Sequence, residues 1–279
     1  MGKPSKREIS ISFMKENEEL FQCPICKSRM TIQSYGGITC PMNHSFDVAK
    51  QGHVNFLTKP VNSMYSKELF ESRKEVIQSG LYELIHEKIA IAIDKNVKTI
   101  LDTGCGEGSH LVKIVEKRDT NITSVGIDIS KEGILTAAKS TTEMIWCVGD
   151  LTRSPFQEKS FDVILNFLSP ANYDEFKRLL KRNGMVIKVI PQENYLREIR
   201  RQAFAHSEKE QYSNLQTVER FKEYFNNVQI QRVTYTVPLE RQLVPKLLEM
   251  TPLGWHINEE NKIDMNEITI DLDIMIGHI

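Results

Sequence analysis

No stretch of this 279-residue chain approaches the ~18 uninterrupted apolar residues that a membrane-spanning helix needs. The opening MGKPSKREISISFMKENEEL is polar and lacks the apolar core of a secretory signal. Neither sign of charge dominates. With 36 Lys and Arg against 37 Asp and Glu, the formal net charge is −1, so the whole molecule offers a polyanion no positive field. Any nucleic-acid contact must come from local clusters. Cysteines number five, and in the cytoplasmic protein that these absences imply, they argue against a disulfide framework. Repeats and low-complexity tracts are missing too. What is present, 40% hydrophobic and 26% charged residues, suits a core of ordinary size in one large domain, or in a medium domain with a small one beside it.

Three of the five cysteines fall between Phe21 and Phe46. Cys23-Pro-Ile-Cys26 is a Cys-x2-Cys pair and Cys40-Pro-Met-Asn-His44 a Cys-x3-His pair. Two such knuckles can surround one tetrahedral ion with about 2.3 Å to sulfur and about 2.0 Å to nitrogen. Filling all four positions leaves no place for an activated water, so the spacing predicts a structural Zn2+ whose binding energy helps fold a module too small for its own core. His53 falls outside the spacing and reads as a surface or hydrogen-bonded histidine. Residues 1–20 read as a loosely ordered extension, 21–58 as the zinc-binding domain, and 59–97 as a linker (59–63) followed by helix with a break at Gly80.

From residue 98 to 279 strands and helices alternate, which predicts an α/β fold with a doubly wound, mostly parallel sheet. FDVILNFL and GMVIKVI lack polar alternation, as buried central strands should. VQIQRVTYTV and ITIDLDIMI suggest extra strands at a sheet edge, one of them antiparallel. ILDTGCGEGSHL places Gly104, Gly106 and Gly108 between a strand and a helix, a loop that lets backbone approach a ligand. Asp102 ends the first strand of this region and Asp128 the second, where a carboxylate can accept from ribose hydroxyls. Glu107 inside the loop is unfavourable beside a pyrophosphate and tolerable beside a cationic sulfonium. The plainer reading of Asp128 and Asp150 is capping of strand-end turns. Cys105 and Cys147 read as small core hydrophobes.

This combination resembles the glycine-rich loop of class I S-adenosylmethionine-dependent methyltransferases, which implies a Rossmann-like fold. CVGDLTRSPFQEKSFDVIL is similar to the same class and puts Asp150 where such enzymes often contact the adenine. Zinc module, FDVAKQGHVNFL, SKELFESRKEVIQSGLY, LDTGCGEG, FLSP and EMTPLGW together resemble the RlmA-type 23S ribosomal RNA (guanine-N1)-methyltransferases, from Phe21 to the C-terminus. The resemblance implies methylation of one guanine at N1 in a hairpin of 23S rRNA domain II, near the macrolide exit tunnel, with an effect on macrolide susceptibility in some members. It also implies a homodimer. Cys23, Cys26, Cys40 and His44 match the family's zinc ligands, and Gly104, Gly106, Gly108 and Asp128 its cofactor loop and ribose acid. Lys181-Arg-Asn-Gly184 replaces the Lys-Pro-Gly-Gly turn of many methyltransferases. In place of an Asn-Pro-Pro-Tyr motif stands Asn166-Phe-Leu-Ser169-Pro170, so Asn166, Ser169 and Pro170 are the candidates around the reacting base, at the carboxyl ends of the first and fourth strands. No general base can be named. Arg73 and Trp255 lie in stretches that resemble the family, which implies that they border the cofactor pocket; packing in the core is the other reading of Trp255. Lys27, Arg29 and Lys50, with the clusters Lys177/Arg178/Lys181/Arg182 and Arg197/Arg200/Arg201, are candidate phosphate contacts or ordinary solvated faces. Two alternatives remain open: a small-molecule methyltransferase, and a non-catalytic zinc-containing RNA-binding protein.

Overall fold

The computed structural model describes residues 3–61, 65–204, 212–257 and 265–279; part of the 59–63 linker lies outside them. Residues expected to be a loose extension form helix α1, Lys6–Glu16. Ser5 accepts from the Glu8 amide while Glu8 accepts from the Ser5 amide, a reciprocal capping box. Ile11 and Met14 are buried, and the Arg7 guanidinium donates to the carbonyls of Val48 and Tyr35. This helix is therefore the ribbon's missing packing layer, a correction that the polar composition hid.

The ribbon itself is a three-stranded antiparallel sheet of β1 (Thr31–Ile32), β2 (Gly37–Thr39) and β3 (Ser45–Asp47). It is joined to the rest of the molecule in two ways. Phe21 and Phe156 form an antiparallel bridge flanked by Gln22 N–H to Pro155 O, 2.9 Å, and Gln157 N–H to Leu20 O, 2.8 Å. The short strand β4 (Val54–Asn55) then pairs in parallel with β7 (Ile145–Val148). His53 is buried with Nδ1 unpartnered, neither a surface group nor a metal ligand, and burial holds its pKa down.

Helices α2 (Lys67–Gln78) and α3 (Glu83–Ala92) are separated at Gly80, whose φ of +91° requires glycine's freedom. Then come β5 (Thr99–Thr103), α4 (Ser109–Glu116), β6 (Thr123–Asp128), α5 (Lys131–Ser140), β7, β8 (Phe161–Phe167), α6 (Tyr173–Leu179) and β9 (Leu180–Pro191). The chain closes with α7 (Arg197–Ala203), α8 (Leu215–Tyr224), β10 (Asn226–Pro238), α9 (Leu243–Met250) and β11 (Glu267–His278). The sheet order is β10-β11-β9-β8-β5-β6-β7-β4. The two extra strands expected at a sheet edge are β10 and β11; β11 is inserted between β9 and β10 and runs antiparallel to both. Apolar clusters fill both faces, as a doubly wound sheet demands. Strand order reverses between β5 and β8, so their carboxyl ends diverge and leave a crevice. Lys181–Gly184 is not a free turn: these four residues bulge out of β9 opposite Asp162, and Lys181 Nζ donates to that carboxylate at 2.9 Å.

Candidate functional sites

The four metal-ligand candidates converge. Their donor atoms all lie within 4.8 Å of one another. Cys26 Sγ and Cys40 Sγ are 3.6 Å apart; His44 Nδ1 is 3.4 Å from Cys23 Sγ and 3.5 Å from Cys40 Sγ. A tetrahedron with the usual zinc bond lengths has sulfur–sulfur edges of about 3.8 Å and sulfur–nitrogen edges of about 3.6 Å. The donors thus already stand close to the spacing that Zn2+ requires. Each knuckle turns through one residue in the left-handed region, Lys27 (φ 63°) and Asn43 (φ 61°), which lets Lys27 N–H reach Cys23 O and Asn43 N–H reach Cys40 O, both 2.9 Å. This is a closed structural zinc site.

The second site is a cavity of about 910 Å³ at the carboxyl ends of β5, β6 and β8, roofed by α2 and the end of α9. Gly104 has φ +71°, and a Cβ there would stand 1.9 Å from Ser169 Oγ; at Gly108, φ +80°, it would meet the Trp146 ring at 2.4 Å. The loop is therefore glycine for space as well as for conformation. Gly104 and Cys105 N–H both donate to Ile127 O, and Gly106 N–H donates to Asp128 Oδ2 at 2.8 Å. Asp128 Oδ1 accepts from Ser130 N–H at 2.7 Å. Each Asp128 oxygen keeps one lone pair, enough to accept two hydroxyls from a ribose.

Asp102 differs. It is buried, lines the cavity, and neither carboxylate oxygen has a partner. Burial first, then Asp128 and Glu107, hold its pKa well above the usual carboxylate range. An orphaned acid facing a glycine cradle is what a cationic ligand would complete, and S-adenosylmethionine, with its ammonium and sulfonium, has that charge. Arg73 stands on the opposite wall, its Nη1 3.2 Å from the Cβ position of Gly106, and suits the cofactor's carboxylate. Asp150 also lines the cavity while capping the turn Leu151–Arg153 through Thr152 N–H, 2.8 Å. Glu107 is turned inward, capping α4 at Ser109, with burial pushing its pKa up to about 7; it does not face the cofactor space.

Of the three residues expected around the base, Ser169 and Pro170 line the cavity, and Asn166 lies behind it. The Asn166 amide donates to Thr103 O, Thr103 Oγ1 and Pro170 O at 3.0–3.1 Å, and its Oδ1 accepts from Lys188 Nζ. It ties the loop after β8 to β5, with both amide protons taken up inside the protein and no place on the cavity wall. The sequence pointed to Asn166 and passed over Lys188, a cavity-lining lysine inside the apolar run MVIKVI, which was itself the clue. Other readings also change. Arg178 pairs with Glu175 and donates to Phe156 O, and Arg200 is buried against Tyr212, so these two brace the fold; Arg197 is half-buried and pairs with its neighbour Glu198. Lys27, Arg29, Lys50, Lys177, Arg182 and Arg201 stay exposed. Trp255 is 46% exposed and donates to Glu249 O, outside the cavity. Cys105 and Cys147 are buried, and burial pushes both thiol pKa values up.

Sheet order, glycine cradle and zinc ribbon together define an S-adenosylmethionine-dependent methyltransferase of class I with a zinc-binding N-terminal module. The comparisons with known proteins are narrower. A family model described as RlmA, N-terminal, matches residues 21–67, and one described as a methyltransferase domain matches residues 94–238. A protein of Bacillus subtilis (strain 168), provisionally named 23S rRNA (guanine-N(1)-)-methyltransferase YxjB, is 40% identical over 272 residues, covering 92% of this chain and 96% of that protein. The 23S rRNA (guanine(748)-N(1))-methyltransferase of Streptomyces fradiae is 25% identical over 242 residues, 84% of this chain and 85% of that one. The chain belongs to the RlmA-type 23S rRNA (guanine-N1)-methyltransferase family.

Proposed function

We propose that this enzyme transfers a methyl group to N1 of one guanine in a domain II hairpin of 23S rRNA beside the macrolide exit tunnel, and that it works in the cytoplasm as a homodimer. The observation that carries the reading is the 40% identity extending through ribbon and methyltransferase domain alike, since a small substrate needs no separate recognition module. None of the described helices is long and apolar enough to cross a membrane.

N1 lies on the pairing edge of guanine, so the base must leave its stack to react. A cavity of about 910 Å³ is large enough for a cofactor and a base together. When bound, S-adenosylmethionine supplies the electrophilic methyl. The protein's own task is placement. We assign Asp128 to the ribose hydroxyls, Asp102 to the cationic end, the Gly104–Gly108 loop to the backbone contact and Asp150 to the adenine side. Ser169 and Pro170 present the loop against which the base rests, and Phe167 backs it, its ring stacked on His110 at 3.7 Å. We assign Arg220, which lines the cavity, and the exposed ribbon residues Lys27 and Arg29 to phosphate contacts.

The test is incubation with labelled S-adenosylmethionine and 23S rRNA from a strain lacking the enzyme. Reverse transcription should stop at one guanine in domain II, because N1 methylation removes the pairing proton. Label on no RNA, or a methyl elsewhere than N1, overturns the assignment; macrolide inhibition of treated and untreated ribosomes then measures the effect on the drug.

A further inference from the structure

Lys188 sits in β9, opposite Asn166 of β8 in the parallel ladder, and is 3% exposed. Its Nζ donates to Asn166 Oδ1 and to Ser169 O, the latter at 3.0 Å, and among the described residues it has no ion pair. Two acceptors match the two protons of a neutral amine and leave the lone pair open; an ammonium would have a third proton without a protein acceptor. The residue lines the same cavity as Asp102, Gly104 and Phe167. Most buried lysines answer a carboxylate. This one answers two neutral oxygens, which fix its position without fixing its charge.

Resting on the guanine-N1 reading above, we infer that Lys188 accepts the N1 proton of the target guanine. The N1–H bond breaks toward the Nζ lone pair. The N1 electron pair forms the new bond to the methyl carbon, whose bond to sulfur breaks and leaves its electrons there as a neutral thioether. The Lys188 ammonium then stands beside O6 and returns its proton to water when product leaves. Asn166 and Ser169 are positioning residues, which explains why an amide buried behind the wall is tied by three hydrogen bonds to Thr103 and Pro170.

The surroundings favour an amine that loses its proton easily. Burial alone pulls the Lys188 pKa down to about 8. Its cavity is also lined by Arg73, His110, Asp128, Asp150 and several tyrosines. Asp102 on β5 has a raised pKa. Tyr173 on α6 is pushed up to about 12. Arg220 on α8 lies over the Tyr173 ring. Asp273 on β11 is opposite Ile190 and accepts from Gln192 and Asn214. None of these is hydrogen-bonded to Nζ.

The experiment uses the full-length enzyme and the 23S rRNA domain II hairpin. Wild-type single-turnover rate should rise with pH through a midpoint near 8 and level off above it. Lys188→Ala should lose about 10²- to 10⁴-fold in rate, keep its affinity for S-adenosylhomocysteine and for the hairpin within threefold, and regain rate with added ethylamine. Lys188→Arg, always protonated, should not rescue. Full activity in Lys188→Arg, or an alanine variant with an unchanged rate and pH profile, overturns the inference. If the alanine variant fails to bind S-adenosylhomocysteine, the arginine variant and the wild-type profile decide, a flat profile overturning it. A wild-type enzyme that modifies no guanine N1 fails the functional reading instead, a separate result read before any variant is made.

Discussion

In the ribbon, four side chains crowd their donor atoms within 4.8 Å around a point that an ion fills; at the strand ends, Asp102 is held apart from every partner by the sheet around it. The ribbon gathers polar groups until they satisfy one another through a metal, and little apolar area is needed. The cavity does the reverse. A large apolar framework holds a carboxyl and an amine in unfinished surroundings, and their completion is left to ligands. The first arrangement gives stability and the second gives binding and chemistry, because a polar group left unsatisfied in the free protein gains most when a ligand pairs with it.

The largest expected effect breaks the two regions apart. Structural zinc in small modules contributes on the order of 10 kcal/mol. Chelation, or Cys40→Ser, should therefore open the ribbon to protease and cut hairpin affinity by at least tenfold. Affinity for S-adenosylhomocysteine by calorimetry should stay within threefold. An equal loss of both affinities would mean that ribbon and cavity are one cooperative unit, a result that the Phe21–Phe156 bridge and the β4–β7 pairing make worth measuring. Next, Asp128→Ala removes the acceptor of Gly106 N–H and the ribose acceptors together. Two charge-assisted hydrogen bonds at about 1.5 kcal/mol each correspond to roughly 100-fold weaker cofactor binding, with hairpin binding retained; methylation at the normal rate would sink the cofactor assignment. Gly104→Ala forces a Cβ against Ser169 at a φ of +71°. A cost of about 1–3 kcal/mol should appear as a lower Tm, together with about tenfold weaker cofactor binding.

The smallest effect sharpens the contrast most. Because burial raises the Asp102 pKa, the folded protein keeps a proton that the unfolded chain releases above about pH 3.9. Stability present below that pH is lost as pH rises toward the folded pKa. Asp102→Asn should then raise Tm at pH 8 relative to wild type, with the gain vanishing near pH 4, while cofactor affinity falls. A variant less stable at pH 8 would mean that the free enzyme already holds a partner for Asp102. In the ribbon no comparable substitution of a ligand should ever stabilise.

How much of this was legible follows the distance between partners. Cys23 to Cys26 and Cys40 to His44 are local spacings, and so are the three glycines between Asp102 and α4; the four metal donors converge, and Asp102, Gly104 and Asp128 line the cavity. Asn166 was misjudged because its partners Thr103 and Lys188 lie 63 and 22 residues away. Helix α1 was missed because its polar surface outweighed the signature Ser5-Lys-Arg-Glu8 and the two apolar residues it buries. Arg178 and Lys181 read as a basic helix face, yet their partners Glu175 and Asp162 make them braces.

The sequence by itself determined the metal, the cofactor loop and the alternating α/β order, since each is written in residues near one another along the chain, where turn geometry and periodicity act directly. Only the tertiary structure decided which polar groups are satisfied and which are left open. That depends on what the sheet brings across from β8 to β9 and from β5 to β6. Burial without a partner, as at Asp102, and burial with neutral partners, as at Lys188, arise from packing that no local spacing encodes.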